Sequence, residues 1–517
     1  MAEGVGGHGW NLKVLATSGL VALVLLSAAS AGPGATARIS VNSSGAQADS
    51  HSLLPAIDGA GEIVAFYSDA TNLVAGDTNN ARDVFARDRQ AGTTVRVSVD
   101  SGGVQANSHS FAPAVSRDGR MIAFHSDASN LVSGDTNNAS DVFVHDRQSR
   151  ATTRVSVATG GAEANERSSA SALSADGRFV TFVSDATNLV TGDTNAARDV
   201  FLHDRQSGTT TRISVSTAGD QGNIHSLSAA ISDDGRFVAF SSYAANLVDG
   251  DTNESADIFV HDRQDNSTRR ISVYSDGTEV EGDSLAPAIS ADGRVVAFDS
   301  DAWLLIWGDT NEARDVFVHD RQAGLTSRVS VDDGGAQANG ASLRPSITAD
   351  GRFVGFYSEA STLVGGDSNG ASDVFVHDRR SGATTRVSVG NGGTQASGDS
   401  VRPSVSGTGA VVAFESDAAS LVNADTNGFS DVFIHEPTVA APPPAPPQPQ
   451  CVVPNVRWKK LAVARRSIIA ARCRVGRVRQ ARSKRVRRGR VISQSPAART
   501  RARAGSRVNL VVSRGRR

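Results

Sequence analysis

The chain reads as all-β: a seven-bladed β-propeller closed by its own N-terminal strand, followed by a small α+β domain. Three observations predict this. A GDTN-type tetrapeptide recurs with its acid at Asp77, Asp135, Asp193, Asp251, Asp309, Asp367 and Asp425, every interval being 58 residues. An RVSV or RISV element begins at Arg38, Arg96, Arg154, Arg212, Arg270, Arg328 and Arg386 with the same interval. Each unit also holds four segments of period-2 alternation separated by Asp-Gly or polar turns, the pattern of antiparallel hairpins. Seven such units without an insertion specify a propeller.

The elements follow in chain order. Residues 1–31 read as an export signal: Lys13 precedes the apolar stretch Val14–Ala29, and Ala29-Ser30-Ala31 is a small-residue cleavage pattern. The run is short for a membrane span, and an uncleaved anchor is the other reading. Cutting after Ala37 would expose Arg38 at the edge of a needed strand. No other segment is apolar enough to cross a bilayer, so the mature chain is expected to lack a span and to be secreted or cell-envelope associated.

The propeller occupies residues 38–436. In its second unit the strands are expected over Ser110–Ser116, Arg120–Ser126, Asp141–Asp146 and Thr152–Val157. Two Phe columns, from Phe66 and from Phe85 at 58-residue steps, take 14 of the 19 Phe and predict a core between blades. The orphan strand Arg38–Val41 is expected to supply the missing fourth strand of the last blade and so remove the open edges. Residues 437–450, PTVAAPPPAPPQPQ, form an extended spacer. Residues 451–517 carry 22 Lys and Arg and no acid, so the formal charge of −2 conceals −24 on one side and +22 on the other.

The repeated stretch SxDGRxxAFxSxAxNLVxGDTNxxxDVFVHDR resembles the TolB-like, WD-related propeller repeat over Arg38 to Glu436. That resemblance implies the fold; such propellers serve as binding platforms, protease gates and lyases. A strand is expected over Val452–Val456, and the tail resembles a PASTA domain in VPNV (Val453–Val456), a helix over 460–472, VISQSP (Val491–Pro496) and AGSRVNLVVSRG (Ala504–Gly515). It departs from the family at Trp458 and Arg499, where Gly is usual, and in its basic run Arg482–Arg490. The resemblance implies binding of cell-wall peptidoglycan, and the charge implies attraction to anionic wall polymers. In an exported chain Cys451 and Cys473 are expected to form a disulfide.

Function is expected on the face carrying the long loops, such as Asp127–Ser140 and Ala158–Arg167. Oxygen ligands at offsets 0, 2 and 6 (Asp77, Asn79, Asp83; Asp135, Asn137, Asp141; Asp193, Asn195, Asp199) suit calcium, or else cap turns. The recurring Ser from Ser52 and the His from His145 suit a structural hydrogen-bond network, since catalysis needs one site, not a ring of copies. Symmetry breaks at Tyr243, Tyr274, Trp303 and Trp307, aromatics that stack on a glycan, anchor a protein partner, or fill a local hollow. The resulting expectation is a non-enzymatic exported binding protein without a nucleic-acid partner. Its alternative is a glycan-active hydrolase or lyase, which requires a symmetry-breaking acid–base group in the mouth.

Overall fold

The computed structural model describes residues 34–437, 450–471, 473–503 and 506–516. The expected signal (1–31) and nearly all of the spacer (437–450) lie outside the described residues. The chain divides into two compact units, Met1–Thr438 and Val439–Arg517.

Seven four-stranded antiparallel sheets build the first unit. Blade two runs Ser110–Val115, Met121–Ser126, Asp141–Asp146 and Thr152–Arg154, in that order across the sheet. The Asp-Gly turn is fixed locally: Asp118 accepts from the Ser116 hydroxyl and the Arg120 N–H. Phe124 faces Phe143 directly across the strands, with ring centroids 5.9 Å apart and both side chains fully buried. They pack against Ile63, Ala65, Val84 and Ala86 of the preceding blade. The Phe columns therefore form the core between blades, and each buried ring contributes about 2 kcal/mol of transfer free energy.

The last blade has Ser400–Val405, Val412–Ser416 and Asp431–His435, and its fourth strand is Thr36–Arg38. The strap pairs Thr36 with His435, Ala37 with Ile434 and Arg38 with Phe433. It enters two residues earlier than expected. Ser40 turns its hydroxyl to Asp431 and Val41 bridges Gln47, so Ile39–Val41 bend into the crossover rather than extend the sheet. Thr36 Oγ1 lies 2.8 Å from His435 Nδ1, the contact that His145 and Thr152 make inside blade two at 2.9 Å.

The first strand of each blade is innermost, and neighbouring first strands touch all the way round. At the Asp-Gly end they are joined into a closed ring of main-chain hydrogen bonds. Gly59 N–H donates to Arg117 O, Arg117 to Ala175, Ala175 to Asp233, Asp233 to Ala291, Ala291 to Ala349, Ala349 to Gly407, and Gly407 back to Gly59, at 2.9–3.2 Å. Seven strands at that spacing make a ring about 11 Å across. Arg117 reaches over it to Asp233. A Cβ at Gly59 would sit 2.5 Å from Arg117 Cγ and 2.8 Å from its carbonyl oxygen, so that position needs glycine, and one at Gly407 would sit 2.8 Å from Arg117 Nη2, which places the guanidinium across the ring. The axial channel is thus floored at this end and opens at the long-loop end.

The second unit pairs Gln450–Val452 with Arg501–Arg503 and orders a three-stranded sheet Arg474–Ala481, Arg507–Ser513, Val491–Ser495. Helix Leu461–Ala470 buries Ala464 and Ile468 against Val491, Val508 and Leu510. The expected strand Val452–Val456 keeps only Val452, because Pro454 has no N–H to donate. Val456 N–H and the Pro454 carbonyl bond instead to the Gln494 side chain, at 2.7 and 2.8 Å. Cys451 and Cys473 are disulfide-bonded, closing a loop of 22 residues that contributes about 3 kcal/mol. Trp458 and Arg499 stand at φ 69° and 68°, the left-handed conformation that explains the family's usual glycines. Among the described residues no helix is long and apolar enough to cross a membrane.

Candidate active site

Each third strand opens on a buried Asp that accepts from the Ser of the next RVSV element, as Asp141 does from Ser156 at 2.5 Å and Asp199 from Ser214 at 2.6 Å. The paired Asn caps its own loop. Asn79 Nδ2 donates to Asp83 and Ala106 O, and its Oδ1 accepts from Ala81 N–H; Asn137 and Asn195 repeat this. A guanidinium lies between the two acids of the loop. Arg96 sits 3.1 Å from Asp77 and 3.4 Å from Asp83, and Arg212 sits 3.0 Å from Asp193 and 3.4 Å from Asp199. The loop's positive charge is already built in.

Two blades differ. Where the others carry Gln, Glu163 and Glu279 add a third carboxylate, giving the clusters Asp135, Asp141, Glu163 and Asp251, Asp257, Glu279, each close enough together to hold a cation. Arg154 Nη1 stands 2.7 Å from Glu163, 3.2 Å from Asp141 and 3.6 Å from Asp135. Burial, then the Asp141 charge, pushes Asp135 up to about 6, and Asp251 likewise to about 6. Glu163 sits below its usual value: burial works against it, but the Thr136 N–H and hydroxyl outweigh that. Asp135 Oδ2 is buried without a hydrogen-bond partner. Paired carboxyls whose environments drive them apart are the usual makings of an acid and a base.

The repeated Ser and His do not share one network. Ser110 bonds Ser126 at the mouth end of the inner hairpin, at 2.9 Å, whereas His145 bonds Thr152 on the outer hairpin. The symmetry-breaking aromatics also separate. Trp303 and Trp307 are 60 % and 90 % exposed, Tyr274 packs onto the core between blades four and five, and Tyr243 is half-buried near Asp283 and Arg314.

A further asymmetry lies on the inner strands themselves. Each first strand carries a β-bulge near its start, at positions that read Leu54, Ala112, Ala170, Ser228, Ala286, Arg344 and Arg402 round the ring. The second-strand residues beside the mouth read Tyr67, His125, Val183, Ser241, Asp299, Tyr357 and Glu415. Blades three and four are bland, and the chemistry gathers on blades five, six, seven, one and two. Glu415 accepts from Arg402 at 3.0 Å and from the Leu54 N–H at 2.7 Å. Asp299 accepts from the Arg344 N–H at 2.9 Å and from Arg314 at 3.1 Å. Burial pushes both carboxyls up. Burial also raises the Tyr357 hydroxyl, against the pull of Arg344 and Arg402. His125, stacked on Phe111 with centroids 5.2 Å apart, is held neutral by burial, at about 4. The sequence reading missed this arc because it sought broken symmetry in the loops. Comparing inner-strand positions at 58-residue steps would have found it.

Residues 452–514 match the PASTA domain family. No curated protein matches the chain. Among solved structures, the first unit is similar in fold to an oligogalacturonate lyase from Vibrio parahaemolyticus: 13 % identity, 78 % of this chain and 98 % of that one, TM-score 0.46. The β-propeller domain of the trilobed protease from Pyrococcus furiosus matches at 12 % identity, over 75 % and 95 %, with TM-score 0.46. TolB from Acinetobacter baumannii matches at 15 % identity, over 73 % and 81 %, with TM-score 0.35. At these identities the likeness is one of fold, and it singles out no TolB identity. The expectation of a non-enzymatic binding protein is corrected. The first unit holds two three-carboxylate clusters, Asp135, Asp141, Glu163 and Asp251, Asp257, Glu279, each with its acid oxygens close enough to share a cation. The chain is a seven-bladed propeller closed by its N-terminal strand, carrying a C-terminal PASTA domain.

Proposed function

We propose an exported enzyme that acts on a glycan as a lyase or hydrolase, its chemistry in the propeller mouth and its PASTA domain toward the cell wall. One observation carries this reading: ionisable groups stand at the mouth positions of five consecutive blades where blades three and four have Ala, Val and Ser. Burial keeps the Tyr357 hydroxyl and the His125 imidazole neutral and raises the Glu415 and Asp299 carboxyls, so the arc sets proton donors beside proton acceptors. The guanidiniums of Arg344 and Arg402 suit developing negative charge. Exposed Trp303 and Trp307 offer stacking planes to flanking sugar units, and the PASTA domain's basic surface favours anionic wall polymers. In the clusters of blades two and four the Arg154 and Arg270 guanidiniums already lie among the three acids, so calcium there competes with a built-in cation.

The test is turnover of a polysaccharide panel by the full chain. A lyase produces an unsaturated, ultraviolet-absorbing product; a hydrolase produces reducing ends alone. Loss of turnover in Tyr357→Phe and His125→Ala, with melting unchanged, supports the mouth as the site. Absence of turnover on every substrate refutes the enzyme.

A further inference from the structure

We propose that the mouth binds the carboxylate of an acidic sugar at the end of a chain, gripped by Arg344 and Arg402 in a well that is closed below. The proposal rests on reading the mouth as the working site and names what enters it.

Ladder register shifts between Leu343 and Ser346 in blade six and between Val401 and Ser404 in blade seven. Arg344 and Arg402 each take φ 53° there, outside the strand conformation. A bulge of this kind re-aims a side chain. The same strained backbone occurs at Leu54, Ala112, Ala170 and Ala286, so the fold makes the bulge, and the residue placed on it is free to vary. Only two adjacent blades place a cation on it.

Neither guanidinium is saturated. Among the described residues Arg344 donates only its main-chain N–H, to Asp299, while its side chain makes no hydrogen bond or ion pair and the residue is exposed. Arg402 gives one N–H to Glu415, and its side chain is 40 % exposed. The partners beneath are fixed: the side chain of Glu415 is 7 % exposed and that of Asp299 3 %. Two forked donors on a rigid base match a carboxylate, which accepts two parallel N–H bonds. Tyr357 lies in the field of both arginines and offers a ring for a sugar face.

The floor decides which part of a chain enters. The ring of seven main-chain hydrogen bonds, crossed by Arg117 and Asp233, leaves no second opening for a polymer to thread. A chain therefore enters the channel by its end.

Two sugar chemistries present such a carboxylate, a uronic acid and the lactyl ether of muramic acid. Calorimetry on the full chain therefore uses four probes: a uronic-acid trisaccharide, a muramic-acid-containing disaccharide, and the methyl ester of each. At least one acid is expected to bind tenfold or more tighter than its ester, and which one identifies the source. Arg344→Gln and Arg402→Gln together are expected to erase that preference, and Arg344→Gln alone, whose side chain has no partner to lose, is expected to weaken it while melting stays unchanged. A long polymer of the preferred acid is expected to compete in proportion to its chain ends. Equal binding of acids and esters, or a preference surviving in the double variant, overturns the carboxylate grip. Competition in proportion to total sugar units overturns end binding. Acid binding without turnover would remove the enzyme and keep this site, whereas turnover of neutral glycans alone would do the reverse.

Discussion

Replacing Arg212 by Met removes the built-in cation of blade three and leaves two buried acids. The Arg212 side chain is 7 % exposed, that of Asp193 2 % and that of Asp199 0 %, and burial already raises the Asp199 carboxyl. Removing one partner of a buried ion pair costs about 3–5 kcal/mol, because the remaining charge is neither solvated nor paired. A propeller of roughly 400 residues unfolds with an entropy near 0.85 kcal/mol per kelvin, so the melting temperature should fall by about 4–6 °C. Adding Asp193→Asn and Asp199→Asn removes the stranded charges and should recover most of the loss. The single variant should also gain stability on acidification, as its acids take up protons. Calcium is the sharper assay. If the loop's geometry suits a cation and the guanidinium fills the place, then calcium should raise the melting temperature of Arg212→Met and leave the wild-type blade unmoved. A variant as stable as wild type at neutral pH, or one indifferent to both calcium and the Asn rescue, would refute the role of Arg212 as a built-in cation.

Asp135 and Asp251, with folded values of about 6, hold their protons more tightly folded than unfolded, so their ionisation costs stability as pH rises from about 4 to about 6. Glu163→Gln with Glu279→Gln should flatten that slope, read as a smaller difference in melting temperature between pH 5 and pH 8; superimposable profiles would contradict it. A chain beginning at Ile39 loses all three strap pairings and exposes the edge of the last blade, so it should melt several degrees lower and self-associate in light scattering. In the PASTA domain, Trp458→Gly and Arg499→Gly should each add about 1 kcal/mol in urea titration, by relieving a left-handed backbone.

Much of the fold was legible because its period is strict. The Asp-Gly turns, the alternation and the two Phe columns sit at identical offsets in every unit, so local propensity and core position agree. The strap was legible in kind but displaced by two residues, since Ser40 finds Asp431 only once the last blade is in place. The VPNV segment failed as a strand for the reason Pro454 supplies, and the glycine positions occupied by Trp458 and Arg499 were visible as departures without their left-handed geometry. The loop acids were visible, yet their arginine counter-charges were not, because Arg154 and Asp135 stand 19 residues apart in the chain.

By itself the sequence determined the architecture: seven equal blades, an N-terminal strap, an acidic propeller and a basic, disulfide-stapled tail. Periodicity is a local property repeated, and repetition survives without coordinates. The tertiary structure decided which residues meet. Closure brings Glu415 of the last blade to Leu54 of the first, at opposite ends of the repeat array, and it turns seven separate strand ends into one ring with a floor. Arg344 and Arg402 became neighbours only when their bulges were set side by side in that ring. A site built from one residue per blade has no contiguous motif, so only the folded ring shows it.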